Sequence, residues 1–182
     1  GLQRDTDFCI HDIQHYERAL THRSCSSLHA PVHTNERDEF LGDGLLGCIV
    51  ARHVYDRMPH ANEGELTRMR IKLVNGRRLA EISRLLGLDR FIRLSDQLER
   101  SGCARRRDGG DGGRGRGLSA AIMEDAFEAF VAAVYNDQRE LAKQRLRALN
   151  MTPQPAATHG VRGVAADALL QLVTPDGLAF AQ

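Results

Sequence analysis

Two stretches of this chain hold carboxylates at spacings that could do chemistry. Glu36, Glu39 and Asp43 stand at i, i+3 and i+7, on one face of a helix. Continuing that stripe gives Leu46, Val50 and Val54, so the acids are expected to extend the core-facing stripe itself. Further along, Asp125 and Glu128 stand at i and i+3 inside residues 120–135, a segment apolar nearly all round, of the kind that belongs in a core. Taken singly, either group has an ordinary explanation as an exposed face, or as acids paired with arginines of a neighbouring element. That explanation weakens when both lie in core-type helices. Like charges at helical spacing repel, and a carboxylate partly removed from water without a partner is costly. Four or five of them converging would require cations. Hard oxygen donors select Mg²⁺ or Mn²⁺ rather than zinc, and such clusters around one or two ions are typical of phosphoryl-transfer hydrolysis. Spacing alone points to a metal-dependent phosphodiesterase.

The elements that must position these acids are helical. Ile10, Ile13 and Leu20 predict a first helix over 8–20, and a long helical pattern covers 35–57 and ends before Pro59. Asn62 is a capping residue for a third helix through Leu73, with Glu63 and Glu65 in its favoured acidic first turn. Leu79, Ile82, Leu85 and Leu86 mark a fourth helix, stopped by Gly87. A connector at 88–98 follows; then Ser119 caps the apolar helix 120–135, and 138–149 reads as a final amphipathic helix. Strand-like alternation is nowhere sustained, so the fold class is all-α. Gly42, Gly44 and Gly47 each cost the second helix about 1 kcal/mol relative to Ala, which suggests close backbone packing or ligand approach.

Residues 1–150 are expected to form one domain, with a flexible insertion at 105–117 and a tail at 151–182 that carries one short apolar run, Ala168–Val173, a candidate docked helix. The insertion holds five arginines, two aspartates and six glycines, too flexible and charged to pack. It is either a tolerated surface insertion or an arm that grips phosphate. Its arginines, Arg105, Arg106, Arg107, Arg114 and Arg116, are candidate RNA contacts on the second reading.

The chain has 182 residues and a net charge of +1, which taken alone points away from a strongly basic nucleic-acid binder. That sum misleads, because a metal-dependent nuclease commits several acids to its ions, and setting those aside leaves a basic remainder. All but two of the 25 positive residues are arginine, through genomic codon bias or through the better bidentate fit of Arg to phosphate. No apolar run approaches a membrane span. The four cysteines form no Cys-x-x-Cys, and Cys48 falls in an apolar run where a buried thiol is ordinary. Cys25, His29 and His33 recur every four residues, but Pro31 interrupts any helix that would align them on zinc.

The stretch Asn35-Glu36-Arg37-Asp38-Glu39-Phe40-Leu41-Gly42-Asp43 resembles the signature of the ribonuclease III family. Ile122-Met123-Glu124-Asp125-Ala126-Phe127-Glu128-Ala129 resembles the family's downstream acidic motif, and Thr21-His22-Arg23-Ser24 its upstream one. Glu63-Gly64-Glu65-Leu66-Thr67-Arg68-Met69-Arg70 and Leu79-Ala80-Glu81 also fit in order, so the resemblance covers roughly 8–149. Several motifs in register are far more specific than one.

The resemblance implies an all-helical, dimeric endonuclease domain that cleaves double-stranded or hairpin RNA in RNA processing, with staggered cuts leaving 5′-phosphate and 3′-hydroxyl ends. Glu39, Asp43, Asp125 and Glu128 would be the catalytic, metal-binding acids, with Mg²⁺ as the ion and Mn²⁺ as a substitute. Glu36 and Glu63 match further acids nearer the RNA and the subunit contact. Phe40 matches an aromatic that enters a pocket of the partner subunit in a homodimer, although an ordinary core Phe would read the same.

The chain also departs from the family pattern. Asp38 stands where an apolar or aromatic residue is usual, adding charge to the signature. Residues 151–182 are too few for the double-stranded RNA-binding domain that usually follows. Affinity would then come from the dimer cleft, the arginine insertion or other RNA-processing proteins. An intracellular location is implied, with a mitochondrion one option. The competing readings are a catalytically inactive RNA-binding or assembly partner, and a phosphohydrolase of small nucleotides. Against the first of these, none of the four acids has been lost.

Overall fold

The structure, a computed structural model, describes residues 9–27, 29–103 and 117–148. The arginine insertion and the tail lie outside these residues, so the readings made on them, the five insertion arginines included, have no structural counterpart here. Among the described residues the regular structure is helical, apart from one isolated parallel bridge between Thr21 and Arg93. The principal helices are α1 (Ile13–Ala19), α2 (Glu36–Arg57), α3 (Glu63–Leu73), α4 (Gly76–Leu85), a short α5 (Asp96–Leu98) and α6 (Ala120–Ala148).

The local signals that bound these helices are visible as hydrogen bonds. Asn62 caps α3 in a reciprocal box: its side chain accepts from the Glu65 amide at 3.0 Å, and Glu65 accepts from the Asn62 amide at 2.8 Å. Ser119 Oγ accepts from the Ile122 amide at 3.2 Å at the start of α6. Gly87 follows α4 with φ of 70°, a left-handed conformation that Gly adopts without the Cβ penalty.

α6 is the central element. One core cluster joins its Phe127 and Val131 to Leu46, Val50 and Val54 of α2 and to Leu79 and Ile82 of α4. A second joins its Met123 and Ala126 to Ala80, Ile92 and Leu94. A third joins its Ala129, Ala133 and Val134 to Tyr16 and Ala19 of α1. Contact on three sides explains why this stretch is apolar nearly all round.

Four sequence expectations require correction. The two helices expected at 120–135 and 138–149 are one helix, because the weak helix formers Asn136 and Asp137 do not interrupt it. The Asp137 side chain is occupied elsewhere: it accepts from the His11 and Asp12 amides and from the Tyr16 hydroxyl at 2.8–3.2 Å. It therefore does not compete for its own backbone. The first helix begins at Ile13, capped by Asp12, with Ile10 and Ile13 exposed and Tyr16 and Ala19 buried. Cys48 is exposed, since the buried face of α2 passes through other positions. That face runs Asp38, Gly42, Leu46, Val50 and Val54, so Glu36, Glu39 and Asp43 border the buried stripe and do not extend it.

Candidate active site

A missing side chain brings the two acidic stretches together. A Cβ placed on Gly42 would lie 1.8 Å from the backbone oxygen of Glu128, so the backbones of α2 and α6 are in direct contact at this point. The glycine reading holds here; around Gly44 and Gly47 a Cβ would meet nothing within 4 Å. Contact at Gly42 places Glu39, one turn before it, and Asp43, the next residue, beside Asp125 and Glu128 on α6.

The register of α2 has its own fixing point. Asp38 is buried, and both its oxygens are held by the Arg18 fork, Nε at 2.5 Å and Nη2 at 2.9 Å. The sequence reads this residue as extra charge in the signature; in the structure it forms an ion pair between α1 and α2. Bidentate geometry of this kind fixes orientation as well as compensating burial.

The acids beside the Gly42 contact act on one another. Glu128, half-buried, has its carboxyl pushed up to about 8, first by burial and then by the negative charges of Asp43, Glu124, Glu39 and Asp125. Burial raises Glu39 as well, with Asp125, Glu36 and Glu124 adding to the effect and Arg23 opposing it. Asp125 is raised by burial and partly held down by Arg23 and His22. Glu124 is raised by burial, then by Asp125 and Asp43.

All four acids expected to be catalytic are therefore members of one coupled cluster. Glu36 stands at its rim, exposed, with its carboxylate accepting from Thr34 Oγ1 at 2.9 Å. Glu63 stands apart on α3, where it accepts from Thr67 Oγ1 at 3.1 Å. Phe40 is not a core residue of this chain: 84% of it is exposed.

Sequence reasoning left Glu124 without a role, although it sits one turn before Glu128 at i, i+4. Its carboxylate occupies the space over Gly76 at the start of α4, within 2.5 Å of where a Cβ would be. His22 and Arg23 were quoted in a motif but given no function. His22 is buried, and its Nδ1 accepts from the Ser24 amide at 3.1 Å, so that nitrogen carries no proton. Burial, reinforced by Arg23, lowers the proton affinity of the ring, while Asp125 and Glu36 act the other way.

The donor set fits a hard divalent cation in its chemistry. Every candidate ligand is a carboxylate oxygen, and mutual repulsion is the strain that a cation removes. Among the described residues no three His, Cys, Asp or Glu side chains already converge into a cage.

A family model described as the Ribonuclease III domain matches residues 36–139. Ribonuclease 3 of Coxiella burnetii (strain Dugway 5J108-111) is 43% identical over 119 residues, covering 65% of this chain and 43% of that protein. Ribonuclease 3 of Vibrio vulnificus (strain YJ016) is 39% identical over 136 residues, covering 75% and 52% respectively. The chain thus spans about half the length of the curated relatives it matches. Two solved structures of the ribonuclease III nuclease domain from Campylobacter jejuni share the fold, each at 30% identity. One has a TM-score of 0.59 and covers 78% of this chain and 87% of that one; the other has 0.58, with 81% and 91%. The first is described as showing structural flexibility in the region involved in dimer formation.

Proposed function

Since the chain belongs to the ribonuclease III family, we propose that it is an Mg²⁺-dependent endoribonuclease that cuts double-stranded or hairpin RNA. The observation that carries this reading is the coupled cluster of Glu39, Asp43, Asp125 and Glu128 around the Gly42–Glu128 contact. Such a set has no structural use as bare carboxylates. Its members repel one another, and none of the four is in an ion pair among the described residues.

These four acids would hold the cation, with Mn²⁺ able to replace Mg²⁺. When bound, the ion neutralises the acids and the entering phosphate and lowers the pKa of an attacking water. The chain's own residues prepare for this. Glu128 takes up a proton when the cluster carries no cation and must release it on loading. The Gly42 contact keeps α2 and α6 in register. Attack by water at phosphorus breaks the bond to the 3′ oxygen, which leaves with a proton as a 3′-hydroxyl, while the phosphate stays on the 5′ side. Two copies of the chain would place two such sites on one duplex, with exposed Phe40 at the subunit contact, and two offset cuts follow. RNA processing is the corresponding role.

Incubation of a long RNA duplex with the protein and Mg²⁺ should yield staggered cuts with 5′-phosphate ends. Glu128→Gln should lower the rate by about 10²-fold or more, in line with the loss of a group acting directly in transition-state stabilisation. Absence of cleavage by the unaltered protein in both Mg²⁺ and Mn²⁺ would exclude the reading and favour a non-catalytic RNA-binding partner.

A further inference from the structure

The Gly42 contact gathers the acids, but a phosphodiester approaching them is itself an anion. Beside the cluster stands a cation, Arg23, on a segment tied by hydrogen bonds to the start of α2. Arg23 begins a 3₁₀ turn, Arg23–Cys25, held in place on several sides. The amide of His22 donates to Arg93 O at 3.0 Å, and the Ser95 amide donates to Ser24 Oγ at 3.0 Å. The amide of Asn35 donates to Thr21 O at 2.8 Å, which ties the segment to the start of α2, the helix of Glu36 and Glu39. The turn is therefore fixed next to the acids.

The Arg23 side chain is exposed, and among the described residues it forms no ion pair, unlike Arg18, Arg52, Arg77, Arg78 and Arg100. Its charge nevertheless acts on Glu39, Asp125 and His22. A guanidinium close enough to influence two carboxylates, yet engaged by neither, retains its five donors for another anion.

We propose that Arg23 is a substrate-binding residue of this site, its guanidinium receiving a phosphate oxygen of the RNA strand beside the carboxylate cluster. The assignment rests on the proposed cleavage of double-stranded RNA and deepens it. It gives the cleft a fixed positive group that attracts the backbone where the acids alone would repel it. A purely neutralising Arg23 would have the opposite signature, competing with the cation for the carboxylates and leaving RNA affinity untouched.

Glu128→Gln protein, whose cutting is expected to be slowed about 10²-fold or more, permits the test by fluorescence anisotropy of a labelled RNA duplex in Mg²⁺ across a salt series, read before cleavage accumulates. Adding Arg23→Gln should lower affinity about tenfold or more, as expected for a charge-assisted hydrogen bond. It should also make the slope of log affinity against log salt shallower by about one phosphate contact. Adding Arg23→Lys instead should restore the slope with only part of the affinity. Unchanged affinity and slope in Arg23→Gln would overturn the proposal, as would a loss of affinity with no change in slope. Calorimetric Mg²⁺ binding that tightens in Arg23→Gln while RNA binding stays constant would identify the neutralising role instead. If the parent protein fails to bind the duplex and the unaltered chain fails to cut it, the ribonuclease reading falls together with this one. Cutting by the unaltered chain with no effect of Arg23→Gln removes this inference alone.

Discussion

Glu128 is the residue through which the cleft reports its own charge. Its folded carboxyl lies at about 8 against an ordinary 4.5, so between those values the folded protein binds a proton that the unfolded chain has released. With no divalent ion present, stability is therefore expected to fall as pH rises through that window, because the native state holds more protons than the unfolded state. The stabilising contribution is fully present below the ordinary value and is gone above the folded one. Denaturant midpoints at pH 5 and pH 8.5 in EDTA should show the decline, and Glu128→Gln should flatten it; equal pH dependence in the two proteins would contradict the assignment. Added Mg²⁺ acts with the opposite sign. Loading expels the proton, so apparent Mg²⁺ affinity should increase by up to about tenfold per pH unit until the carboxyl is ionised. Type and spacing flag Glu36, Glu39, Asp43, Asp125 and Glu128, and the family resemblance singles out the last four as the candidate metal acids. Glu124, His22 and Arg23 were not legible, because what they do depends on which residues face them across the cleft.

At the scale of elements, the placement of the cluster depends on a backbone contact. Gly42→Ala would force a methyl group into the Glu128 carbonyl, an obstacle that cannot rotate away. The gain of about 1 kcal/mol in helix propensity should be outweighed by overpacking of roughly 1–3 kcal/mol or more. A lowered thermal midpoint together with weakened Mg²⁺ binding is the expected outcome; unaltered Mg²⁺ affinity would show that the two helices can part without disturbing the site. The same contrast explains which elements could be read in advance. Caps at Asn62, Ser119 and Gly87 were legible because their hydrogen bonds close within a few residues. The continuity of α6 was not, since Asp137 is satisfied by His11, Asp12 and Tyr16, more than 120 residues away. The buried stripe of α2 was misread for a similar reason. A charged Asp38 looks like surface until Arg18 of another helix is seen to neutralise it.

For the whole molecule, the described residues contain no helix long and apolar enough to cross a membrane, even though α6 runs for 29 residues. Its apolar character is used up in three internal contacts. The exposed Phe40 next to the acids is the surface through which a second copy is expected to complete the proposed nuclease. Phe40→Ala should leave the fold intact, because the ring touches little of its own chain, while shifting light-scattering mass from dimer toward monomer; an unchanged mass would place the subunit contact elsewhere. There is a consequence for how such a molecule could be retuned. The spacing of α2 and α6 beside the acids is set where two main chains touch, at a position with no side chain to shorten. Substitutions elsewhere can change the charge or reach of the groups that line the gap, but the gauge between its two walls can only be opened. For the proposed cation site, mutation at residue 42 is therefore expected to widen the space for the ion and not to tighten it.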